Sequence, residues 1–145
     1  MNARLALEKE SINAMTAKCK QTGALTLLDI QARLDPCPLK NGSSSQHVLT
    51  IDNQRGDNLY ELVITVSSYG KGIEFAGATE HRHEEKIVPA GMSKYQTTIK
   101  PNNSKPAKAE EIITAIKFYD STQNFPSGFF GNPEETTVKY TIAIQ

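Results

Sequence analysis

The chain has 145 residues, 16 basic and 16 acidic side chains, and an apolar content of 38%. This length sets one domain with a sizeable core, and the composition is globular rather than disordered. A formal net charge of zero lacks the basic surplus of a nucleic-acid binder.

Residues 2–20 read as a helix. Asn2 caps a run of good helix formers, and Leu5, Ile12, Met15 and Cys19 fall on one face. The expected organisation is a helix over 1–22, docked or self-associating to give a homo-oligomer, followed by a sandwich over 24–145. Residues 24–35 form the first expected strand, because Leu28, Ile30, Ala32 and Leu34 alternate with Asp29, Gln31 and Arg33. Pro36 and Pro38 end it, a polar loop follows, and residues 47–52 make a second strand.

The best organised stretch is 59–68 (LYELVITVSS). Leu62, Ile64 and Val66 point to one side, and Glu61, Val63 and Thr65 to the other, so this strand is expected near the centre. Further strands are expected over 73–78, 79–88, 94–100, 111–119 and 137–144. The charges of 79–88 mark it as an edge, since charged edges resist strand addition. Seven to eight short strands with frequent turns predict an all-β, immunoglobulin-like antiparallel sandwich behind an N-terminal helix. The turn Pro89-Ala90-Gly91 resembles those of bacterial Ig-like and adaptor-appendage sandwiches, a likeness that assigns no residue a role.

No apolar run approaches the ~18 residues of a membrane span, and the charged start does not read as a signal peptide. A cytoplasmic location is therefore expected. Cys19 and Cys37 are too few for a disulfide framework; one bridge between them is open in an oxidising compartment, and the missing export signal weighs against it.

The only metal-like cluster lies in Glu80-His81-Arg82-His83-Glu84-Glu85. On a strand His81, His83 and Glu85 share a face and have ligand chemistry for zinc, with His47 as the remaining histidine. A solvated, mixed-charge edge explains the same residues, so no metal or cofactor is assigned. Arg55-Gly56-Asp57 matches an adhesion tripeptide and is also ordinary turn chemistry. Lys105 and Lys108 lie in a basic loop suited to an acidic partner, without an aromatic residue for base stacking. The loop 124–133 carries Phe125, Phe129 and Phe130 among glycines and prolines, and aromatic anchors of this kind serve protein interfaces. No serine lies in a nucleophile elbow and no glycine-rich phosphate loop is present, so no catalytic residues are assigned.

The function expected is a non-enzymatic module, an adaptor, assembly component or small effector, that binds another protein through loops or an edge strand. Two other classes fit the sequence. One is a structural subunit of a secretion or viral assembly, and the other a metal-dependent protein or enzyme centred on His81 and His83.

Overall fold

Side-chain alternation builds two sheets that share one core. The computed structural model describes residues 19–25, 27–119 and 133–145. Its strands are β1 (Lys20–Leu25), β2 (Leu28–Asp35), β3 (Ser45–Asn53), β4 (Leu59–Ser68), β5 (Ile73–Phe75), β6 (Glu80–Val88), β7 (Gly91–Pro101), β8 (Ala109–Tyr119) and β9 (Glu134–Ala143). One antiparallel sheet has the order β1-β2-β3-β7-β5 and the other β6-β4-β8-β9. The fold is the expected all-β sandwich.

β4 lies between β6 and β8 and buries Leu62, Ile64 and Val66 against the facing sheet, with the residues between them more exposed. Burying each such side chain stabilises the fold by about 1.5–3 kcal/mol. Leu59 is also buried, although it lies an odd three residues from Leu62. A bulge resolves this: the register against β8 shifts between Tyr60 and Val63, and Glu61 takes a φ of 51°.

Three expectations are corrected. The single strand over 24–35 is two strands of a hairpin, joined by a turn with Leu27 at φ 57°. The sequence Leu25-Thr26-Leu27-Leu28 carries no glycine or proline, so it reads as uninterrupted strand. The N-terminal helix lies outside the described residues up to residue 18, and Lys20, Gln21 and Thr22 belong to β1 rather than to a helix end. Self-association through that helix lies outside the described residues as well. Cys19 and Cys37, whose pairing the missing export signal weighed against, are joined in a disulfide, with their Cα atoms 6.2 Å apart. Cys19 also accepts a hydrogen bond at its carbonyl from Leu34 N–H (2.9 Å), so the bridge staples the open end of the β1–β2 hairpin.

The two long sides of the sandwich differ. On one, β1 packs on β9 so closely that a Cβ on Gly23 would sit 2.9 Å from Val138 Cγ2. On the other, β6 and β7 belong to different sheets and share no ladder. The chain crosses between the sheets there, at residues 76–79 and 89–90, and leaves a seam between the two strands.

Candidate functional site

The seam opens into a cleft of about 310 Å3. Its floor is apolar, from Leu49 of β3 and Ile64 and Val66 of β4, and its walls are His81, His83 and Glu85 of β6 and Tyr95 of β7. The β6 alternation therefore brings His81, His83 and Glu85 to one half-buried face, as expected, while Glu80, Arg82 and Glu84 face solvent. His47 also lines the cleft, so all three histidines of the chain meet at it.

His47 is 1% exposed. Its Nδ1 lies 2.7 Å from Tyr140 Oη and its Nε2 lies 3.2 Å from Thr114 Oγ1. A neutral imidazole has one N–H and one bare nitrogen, and each hydroxyl can donate or accept, so both ring nitrogens are satisfied. Burial, with a smaller contribution from His81, pushes the His47 imidazole down from 6.5 to about 4. Burial also raises the Tyr140 phenol above its ordinary value, keeping it protonated.

On the wall, His83 Nε2 lies 2.9 Å from Glu85 Oε1, and its ring lies 5.1 Å from that of Tyr95 at a tilt. Burial raises the Tyr95 phenol, opposed by a hydrogen bond with Ser93 and reinforced by Glu85. Among the described residues no three His, Cys, Asp or Glu side chains converge closely enough to hold a metal ion. His47 completes no such set, because both its nitrogens are engaged with hydroxyls. The arrangement offers shape, polarity and titratable groups.

The backbone beside the cleft is the less obvious feature. Thr98 C=O accepts from Ala76 N–H, and Gly72 C=O accepts from Asn102 N–H, each at 2.8 Å. Even-numbered residues at this end of β7 thus turn their backbone groups away from β3. The β3–β7 register runs without a shift, so Met92, Lys94 and Gln96 do the same. β5, which occupies that side, pairs only with Ile99, Lys100 and Pro101. Among the described residues no backbone group pairs with the outward N–H and C=O groups of Met92, Lys94 and Gln96.

This edge is also lightly guarded. β6 carries five charged residues in nine, Glu80, Arg82, Glu84, Glu85 and Lys86, and Arg82 and Glu84 pair across its outer face. The open part of β7 carries one charge, Lys94, and an exposed Met92 (71%). The strand expected over 73–78 stops at Phe75, which leaves this part of β7 uncovered.

The remaining sequence-predicted residues lie elsewhere. Lys105 and Lys108 are exposed at the opposite end, beside the Tyr69–Gly72 turn. Phe125, Phe129 and Phe130 lie outside the described residues. Arg55 is not displayed for adhesion: its guanidinium pairs in two hydrogen bonds with Glu134 and lies 5.1 Å from the centre of the Phe118 ring. That hydrogen bonding lowers the Glu134 carboxyl below its usual range, although partial burial opposes it.

No protein-family model matches the chain, and no curated protein matches it. Solved structures do resemble it. The GAE domain of GGA2p from Saccharomyces cerevisiae superposes with a TM-score of 0.51 at 12% identity, covering 84% of this chain and 95% of that one. A chain of the complex between zinc 2-glycoprotein and prolactin inducible protein from human seminal plasma gives 0.49 at 12% identity, covering 80% and 93%. AvmM, which catalyses macrocyclization in alchivemycin A biosynthesis, gives 0.44 at 7%, covering 84% and 95%. At 12% identity the likeness to the GAE domain shows the fold alone, a two-sheet β-sandwich, and leaves function to the site.

Proposed function

We propose that this sandwich is a non-enzymatic module that binds another protein. The observation that carries the reading is the seam: an unpaired stretch of strand edge lies beside a cleft with an apolar floor. Natural sheets cover or charge such edges, and an edge left open is a template for strand pairing. The hydroxyl–imidazole pair at the cleft, Thr114 and His47, is 0% and 1% exposed, so its hydroxyl is closed to a substrate, and His83 pairs with Glu85.

A second contact zone is proposed at the end of the sandwich where the exposed Ile87 (57%), Met92 and Leu27 (57%) lie, the same end at which β8 leaves the sheet and β9 returns. The loop between those strands carries Phe125, Phe129 and Phe130, which we assign as anchors. Lys105 and Lys108 remain a separate proposed contact for acidic groups.

The cytoplasmic location expected from the sequence fits poorly with a disulfide, which belongs to oxidising compartments. We therefore assign the protein to such a compartment. No helix among the described residues is long and apolar enough to cross a membrane.

The test is cross-linking in native extract under oxidising conditions, followed by recapture with purified variants. A partner should be recovered by the wild type, and its capture should fall in Phe129→Ala with Phe130→Ala at unchanged stability. Failure to recover any partner contradicts the reading.

A further inference from the structure

We propose that the unpaired stretch of β7, Met92 to Gln96, takes up an extended segment of another protein as an added strand, apolar on the side turned into the cleft and acidic beside Lys94. The inference rests on the protein-binding reading above and names the occupant of its site.

The backbone sets the first requirement. Three alternate residues present unpaired N–H and C=O groups in the sheet plane, in line with the groups that β5 already uses at Thr98 and Lys100. Only another extended backbone satisfies such a row, each residue exchanging two hydrogen bonds. The added strand would continue the position that β5 fills over only three residues.

The cleft sets the second requirement. Alternate side chains of an added strand point inward, here over Leu49, Ile64 and Val66 and beside the touching rings of His83 and Tyr95. A volume of about 310 Å3 lies at the low end of ligand pockets, roughly 300–1,000 Å3, and suits apolar side chains rather than a large cofactor.

Charge sets the third. Lys94 forms no ion pair among the described residues. In a two-fold pairing of β7 with a second copy, the register that uses Met92, Lys94 and Gln96 together sets Lys94 opposite its own counterpart, and like charges directly opposite destabilise a ladder. An acidic residue in that position complements Lys94, which favours a different chain over a second copy.

The test uses the full chain and synthetic peptides of about eight residues that alternate valine and threonine around a central glutamate, long enough to span an average strand. Controls are the same peptide N-methylated at alternate positions, a version with central lysine, and a scramble with its valines adjacent. Binding is read by fluorescence polarisation and by amide exchange. The alternating glutamate peptide should bind and slow exchange at Met92, Lys94 and Gln96. N-methylation should weaken it by about tenfold or more. Gln96→Pro removes one outward donor at a position where an edge tolerates proline and should weaken it similarly. Lys94→Glu should reverse the preference between the glutamate and lysine peptides. The N-methylated peptide leaves the protein untouched, so a misfolded variant does not blur the result.

Binding insensitive to N-methylation, protection elsewhere, or no binding by any alternating peptide overturns the inference. So does protection of the three amides in the free chain: independent of concentration, it assigns the edge to a segment of the same chain, and rising with concentration, to a second copy. If the native partner is captured equally by wild type and Gln96→Pro, the edge assignment fails while the protein-binding reading stands. If no partner is recovered at all, both fail.

Discussion

His47 should make the stability of the sandwich depend on pH in a way that one substitution removes. The folded protein holds this imidazole near 4, against an ordinary 6.5. Between those values the unfolded chain binds a proton that the folded chain refuses. The contribution of His47 is therefore fully present above pH 6.5 and is lost as pH falls toward 4. At 1.36 kcal/mol per pH unit, the gap corresponds to about 3 kcal/mol. The groups around the ring act in the same direction or are neutral: the neighbouring His81 also disfavours the His47 cation, and Tyr140 and Thr114 are uncharged hydroxyls. Glu85 and Lys94 lie further along the cleft. The assay is urea unfolding from pH 4 to 8 for wild type and His47→Gln, which keeps an amide able to serve the two hydroxyls but does not titrate. The difference between the two stabilities should narrow by about 3 kcal/mol from pH 7 to 4. Parallel curves would refute the account of a buried, neutral His47.

Other perturbations test the frame around the seam. Ile64→Ala should cost about 2–5 kcal/mol in urea melts, and Thr65→Ala, on the more exposed face of the same strand, clearly less. The Cys19–Cys37 bridge closes a separation of 18 residues, so Cys37→Ser should cost about 3 kcal/mol by the loop-entropy relation. Reductant should lower the wild type similarly and leave Cys37→Ser unchanged. Gly23→Ala forces a methyl toward Val138 and should cost about 1–3 kcal/mol, measured by thermal melts. No loss would mean that β1 does not lie close on β9.

Most of the fold was legible because period-two burial leaves a strong mark. The 59–68 strand has the bounds and the buried face that its alternation implies, and 79–88 is an edge strand as its charges imply. The misses share a cause: local signals do not report what pairs with what. The hairpin that pairs Leu25 with Leu28 has no glycine or proline in its sequence to mark it. Cys19 and Cys37 become neighbours only through the β1–β2 hairpin, which the expected single strand hid. The glutamate at 61 adopts its bulge conformation because Leu59 and Leu62 must both enter the core. At the candidate site, His81, His83 and Glu85 were identifiable as one face. The role of His47 was not, because its partners Tyr140 and Thr114 come from strands distant in sequence. The open edge at Met92, Lys94 and Gln96 depends on where β5 stops, a matter of pairing that composition does not encode.

Residue-by-residue amide exchange along β7, in the free chain and in the complex with its cross-linked native partner, tests the central claim most directly. The free chain should show an alternation, with Ser93, Tyr95 and Thr97 slow through their bonds to β3 and Met92, Lys94 and Gln96 fast. The three fast amides should then become slow in the complex. Uniformly slow exchange in the free chain, or fast exchange at those three positions that persists in the complex, would contradict it.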